Sequence, residues 1–187
     1  ATAVTQLLSP PVTGVAGLIA AALLAKGQSP WNLVAIAFLW SILLPTAYVI
    51  GQFLRGGIGD LHMNNRKERF WPLIFSILGA AVGWLLLYTR DAPLSLLVLM
   101  TTHLALAISI LIITAWWKIS MHSASIATLA VFILLFTGRS ILPILLLVPL
   151  VAWARIYLRR HTLAQTVAGA ALGTVLVWAA FILLGGG

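Results

Sequence analysis

The chain of 187 residues contains no cysteine, which excludes disulfides, thiolate metal sites and cysteine nucleophiles. Acids are almost as scarce. Asp60, Glu68 and Asp91 are all there are, too few to ligate the paired metal ions of a prenyltransferase or an alcohol phosphotransferase. Neither a metal nor any other cofactor is expected. Charged residues amount to 7% against 62% hydrophobic, a balance that no soluble domain of this length sustains, so the class is polytopic membrane protein. What charge there is has one sign: eleven Lys+Arg give a formal net charge of +8. The excess reads as membrane topology and contact with anionic headgroups, or as attraction for an anionic substrate. Nucleic acid is not an expected partner, because the bases lie between apolar runs and not on a solvated tail.

Those apolar runs set the fold. Residues 12–25, 31–54, 71–89, 94–115, 124–137, 141–154 and 163–184 predict an all-α, polytopic transmembrane helical bundle with six or seven spans. One domain covers 1–187, with the motif-bearing core at 55–184. Residues 1–11 read as a loop ending in Ser9-Pro10-Pro11, and Pro45 as a kink inside the second run. Trp31, Trp71, Trp116, Trp117 and Trp153 fall near run ends, where an interfacial aromatic belt belongs.

Three polar clusters interrupt the apolar chain: His62 to Arg69, Lys118 to Ser123, and Ala154 to Gln165. Two crossings separate each from the next, so all three return to one membrane face. That face carries Arg55, Arg66, Lys67, Arg69, Lys118, Arg155, Arg159 and Arg160, against Lys26, Arg90 and Arg139 on the other. The asymmetry predicts an inner-membrane protein with the clusters cytoplasmic. Polar side chains at the edge of hydrocarbon are costly and mark function. In the third cluster, Gln165 follows His161 by four, one helical turn on. With Arg155 beside them, this is a donor set for an anion. Ser120 and His122 open another helix, whose free N–H groups suit an anion too. Arg159, Arg160 and Lys118 read as basic anchors at the interface. His103, mid-span beside Thr101 and Thr102, reads as hydrogen-bonded inside the bundle.

As a set, the clusters resemble the type 2 phosphatidic acid phosphatase (PAP2) superfamily. Its pattern is Lys-x6-Arg-Pro, then Pro-Ser-Gly-His, then Ser-Arg-x5-His-x3-Asp. The third motif here runs Ala154-Arg155, five residues, His161, three residues, Gln165. The second is Ile119-Ser120-Met121-His122, and the first is His62, six residues, Arg69, with Pro72 displaced by two. The resemblance implies that His161 attacks phosphorus to form a phosphohistidine and that His122 protonates the leaving alkoxide. Arg69, Ser120 and Arg155 would cradle the phosphoryl group. His62 takes the place of the family lysine, with Arg66 and Lys67 as neighbouring cations. Gln165 replaces the aspartate that holds the nucleophile, and Met121 replaces glycine.

The expected activity is removal of phosphate from a lipid or prenyl phosphate or diphosphate by a membrane-embedded hydrolase. The alternative is a catalytically impaired structural or lipid-binding subunit of a larger membrane complex. Membrane lipids are the expected partners in either case. The absence of cysteine makes the orientation testable. Single cysteines introduced in residues 56–65 should react with an impermeant maleimide only after the cytoplasmic side is opened; labelling from outside intact cells would reverse the assignment.

Overall fold

The computed structural model describes residues 1–25, 29–59 and 66–185. Helices account for the spans. α1 (Thr2–Leu7) and α2 (Pro10–Leu23) are followed by α3 (Trp31–Phe38) and α4 (Leu44–Leu54), which a π-helical turn at Leu39–Leu43 joins into one span. α5 (Phe70–Tyr88) is entered through a 3₁₀ turn at Arg66–Arg69. α6 (Leu94–Thr114), α7 (Met121–Thr137), α8 (Leu147–Tyr157) and α9 (Leu163–Gly185) complete the bundle. Four helical stretches have 21 to 24 residues and a high mean hydropathy, and three shorter apolar helices accompany them. About 20 apolar residues cross a bilayer, so the expected six or seven spans agree with four long and three short helices.

The packing is that of a protein dissolved in lipid. Ala21, Ala37, Ala80, Ala124, Ala130 and Ala154 are completely buried, while Leu23, Leu78, Leu85 and Leu183 are exposed. With lipid as apolar as leucine, small residues that let backbones approach decide which faces pair.

Two local expectations change. Residues 1–11 were expected to be a loop, but Thr2–Leu7 is helical, and Val4 and Leu8 pack on Ile126, Leu129 and Val151. Apolar residues four apart gain a partner in α8 that short-range reading does not see. Pro45 does not simply kink its helix. A proline ring collides with the carbonyl four residues back, here Ser41, and the preceding turn widens to the π form. The Ser41 hydroxyl donates to the Ala37 carbonyl at 2.6 Å within the widened turn.

His103 lies beside two threonines with partners of their own. Thr101 accepts a hydrogen bond from Trp84 Nε1 at 2.8 Å, and Thr102 donates to the Val98 carbonyl at 2.7 Å. His103 Nε2 has no partner among the described residues and borders a cavity of about 150 Å³ between α2, α5, α6 and α7. The adjacent threonines bond within and beside their own helix.

The widened turn is where α5 docks. A Cβ on Gly79 would fall on the Trp40 carbonyl oxygen, whereas one on Gly51 meets nothing within 4 Å. Gly79→Ala should therefore cost about 1–3 kcal/mol through overpacking. Gly51→Ala, inside α4, should be stabilising by up to about 1 kcal/mol. Unfolding of the two variants in mixed micelles checks the contrast, and equal effects would contradict this docking.

Candidate functional site

The spacing of the third cluster is the sum of two helix-terminus motifs. α8 ends in a Schellman turn: the Arg160 N–H donates to the Arg155 carbonyl at 3.0 Å and the Arg159 N–H to the Ile156 carbonyl at 2.8 Å. The residue that must turn left-handed is Arg159, with φ of 52°. Glycine is usual there; an L-residue costs about 1–2 kcal/mol. The chain thus reverses at once, and the His161 N–H also reaches the Arg155 carbonyl at 3.4 Å. Arg155, in the last turn of α8, and His161, beyond the turn, are both buried.

α9 then begins with a capping box. The Gln165 N–H donates to Thr162 Oγ1 at 3.3 Å, and the Thr162 N–H donates to Gln165 Oε1 at 3.2 Å. The last helix starts at Leu163, where the apolar run 163–184 placed it, with Thr162 as its cap. Gln165 Oε1 lies 3.1 Å from His161 Nδ1 as well. This fixes the imidazole without ambiguity. A backbone N–H can only donate, so the atom facing Thr162 is the amide oxygen; an amide oxygen only accepts, so Nδ1 carries the proton. The lone pair is left on Nε2.

The second cluster caps α7. Ser120 is the N-cap, its Oγ accepting from the Ser123 N–H at 3.3 Å and lying 3.0 Å from Ser123 Oγ. Its hydroxyl proton has a choice of acceptors, Ser123 or an incoming anion. His122 follows in the first turn and is buried. The Ser120 N–H donates to the Gln165 carbonyl at 3.2 Å, which ties the second cluster to the third. Two glycines make that approach possible. A Cβ on Gly169 would fall on the Ser120 carbonyl oxygen and one on Gly173 on that of Ala124. α9 therefore lies backbone to backbone along the start of α7.

From the first cluster, Arg69 is 1% exposed and Arg155 from the third is 2% exposed. Arg69 donates from a guanidinium NH group to the Ile119 carbonyl at 3.1 Å, which seats it beside Ser120. Lys67 is exposed. His62 and the Arg66 side chain lie outside the described residues. The arrangement thus brings together Arg69, Ser120, His122, Arg155, His161 and Gln165 at one end of the bundle.

Electrostatics completes the picture. His161 is pushed down to about 3, first by burial, then by the charges of Arg155, Arg69 and Lys118; the hydrogen bond from Nδ1–H to Gln165 opposes the shift. The Lys118 ammonium is held below the usual lysine range by burial and by Arg69, Arg155 and Arg160. Lys118 thus stands within the electrostatic reach of the group, not as the plain interfacial anchor its sequence context suggested. With three acids in the whole chain, cations gathered this closely have the chemistry to receive an anion. Among the described residues, no three His, Asp or Glu side chains gather to hold a metal ion.

Thr162, Gly169 and Gly173 were not singled out by sequence reading, and Lys118 was read only as an interfacial anchor. Two signals were there to be used: Thr-x-x-Gln before an apolar run is a capping box, and Gly169-x-x-x-Gly173 is a close-packing motif of membrane helices. Lys118 carried no signal beyond its charge.

Comparison with known families gives one result. The model of the PAP2 superfamily matches residues 114–185, a stretch that holds the second and third clusters. No curated protein and no solved structure matches the chain. Arg69 precedes the matched stretch, and its place beside Ser120 rests on the hydrogen bond to Ile119.

The glycine contact should be required for the site to form. Gly169→Ala must move α9 away from Ser120 and is expected to cost about 1–3 kcal/mol. It should also weaken binding of inorganic phosphate to the purified protein by about 10-fold or more. Calorimetric titration of parent and variant checks this, and unchanged affinity would show that the glycine does not position the site.

Proposed function

From the match of residues 114–185 to the model of the PAP2 superfamily, we propose that the chain is a membrane-embedded phosphatase of lipid or prenyl phosphates or diphosphates that works through His161. The observation that carries the reading is the orientation of this imidazole. Gln165 Oε1 holds the Nδ1 proton, and burial together with the neighbouring cations keeps the ring neutral. A neutral ring with its lone pair on Nε2 is the nucleophilic form.

The steps follow. The phosphoryl oxygens lie against Arg69, Arg155 and Lys118, with the Ser120 hydroxyl as a further donor. These cations oppose the charge that spreads over the oxygens in the transition state. His161 Nε2 bonds to phosphorus as the ester P–O bond breaks, and protonated His122 gives its proton to the departing alkoxide. Water then attacks the phosphohistidine, His122 takes a proton from it, and the N–P bond breaks to release phosphate. The proton on His122 resets the cycle. Gln165 keeps the ring in register throughout but supplies no charge to offset the imidazolium that develops, so the reaction is slow for its class.

The second reading, a structural or lipid-binding subunit of a larger membrane complex, is favoured by that same amide and by Met121. Met121 opens α7, where its side chain borders the interior cavity. In either reading the bases, eight against three, favour an inner-membrane protein with the site facing the cytoplasm.

Gln165→Glu separates the two readings. It keeps both hydrogen bonds of the capping oxygen and adds the missing charge. If the chain is a phosphatase, release of phosphate from prenyl or diacylglycerol phosphate should rise by about 10-fold or more, and His161→Ala should abolish it in parent and variant. The assay is phosphate release by the purified proteins in mixed micelles. No His161-dependent release from either would refute the enzyme reading and favour the subunit.

A further inference from the structure

We propose that the groove between α8 and α9 holds the hydrocarbon chain of the phosphorylated lipid whose headgroup sits at Arg155 and His161. The assignment rests on the phosphate-site reading above and extends it to the part of the ligand inside the membrane. α9 is pressed on α7 by Gly169 and Gly173, and an adjacent face of it turns toward α8. The two helices are joined tightly at their upper ends by the Schellman turn and the capping box, and below the turn they part. The space between them is about 770 Å³, within the range of sites that take a whole ligand.

Three features identify the occupant. The lining is apolar: Trp153 and Ile156 of α8 face Leu163, Val167, Ala171 and Val175 of α9. The head end is cationic. Ile156 and Leu163 flank the turn that carries Arg155, the exposed Arg159 and Arg160, and His161. The length also fits. From Leu163 to Val175, at 1.5 Å per residue, the groove runs about 18 Å, near the depth of one leaflet of a hydrocarbon core about 30 Å thick. An apolar slot one leaflet deep under a cluster of cations matches an anionic amphiphile inserted from the bilayer. A chain of that length does not fit the interior cavity beside His103, whose 150 Å³ is about the size that holds benzene in another protein.

A photoreactive long-chain alkyl phosphate, with a diazirine at the chain end, tests the assignment on the full protein in mixed micelles. Irradiation should place the label on residues lining the groove, and excess inorganic phosphate should suppress it. Ala171→Trp and Thr174→Trp, both on exposed groove positions, should cut the labelling by about 10-fold. Leu78→Trp, on the exposed face of α5, should leave it unchanged and controls for folding. Label concentrated on α2, α5 or α6, or label insensitive to both groove tryptophans, would overturn the proposal. So would a complete absence of label, the result expected if a partner's helix fills the groove. Labelling needs no turnover. A protein that labels in the groove yet releases no phosphate refutes the phosphatase and leaves the chain site standing.

Discussion

The structure depends on one backbone contact. α7 and α9 meet where Gly169 and Gly173 leave room for the carbonyls of Ser120 and Ala124, and the Ser120 N–H closes the contact on the Gln165 carbonyl at 3.2 Å. In water, burial of large side chains would hold two helices together. In lipid, that drive is absent between helices and close backbone approach takes its place. The consequence is local as well as global. The contact sets Ser120 and His122 against the turn that carries His161, so the same glycines that pack the bundle also assemble the site.

Around that contact the charges share one sign. Arg69 and Arg155 are buried, Lys118 lies close enough to depress His161, and the chain has few acids to offset them. Such a group is stable only as far as an anion, solvent or neighbouring dipoles offset the repulsion. His161 answers by staying neutral. Since its pKa is lowered on folding, its contribution to stability is full above the ordinary histidine value of about 6.5. That contribution falls away as pH drops from there toward about 3. An anion in the site reverses the sign of the field and would draw a proton back to the ring. Affinity for phosphate and the protonation of His161 are therefore linked.

Much of this was legible in the sequence. Apolar runs gave the spans, since length and hydropathy are properties of single segments. Crossing parity put the three clusters at one end, and Arg69 donating to Ile119 bears that out for the first and second. The spacing of Arg155, His161 and Gln165 was read as a motif, and the structure adds its physical content. Arg155 accepts the Schellman bond, His161 precedes the cap, and Gln165 closes the box. What sequence reading missed depends on partners far along the chain. Gly79 is meaningful only because Pro45 widens a turn and presents the Trp40 carbonyl. The helix at Thr2–Leu7 exists where α8 gives Val4 and Leu8 something to cover. Lys118 reads as an anchor until the fold sets it near Arg69 and Arg155. His103 Nε2 has no partner among the described residues, with Thr101 and Thr102 bonded to Trp84 and Val98.

The central claim is that burial and the surrounding cations hold His161 as a neutral imidazole and that Gln165 keeps its proton on Nδ1. Nitrogen-15 NMR of protein labelled at histidine measures this directly, with His161→Ala to assign the resonance. The account predicts a neutral ring protonated at Nδ1 at pH 7, titrating well below the ordinary value of about 6.5. It also predicts that inorganic phosphate raises that midpoint. A ring protonated at Nε2, or one that titrates near 6.5 and ignores phosphate, would contradict it.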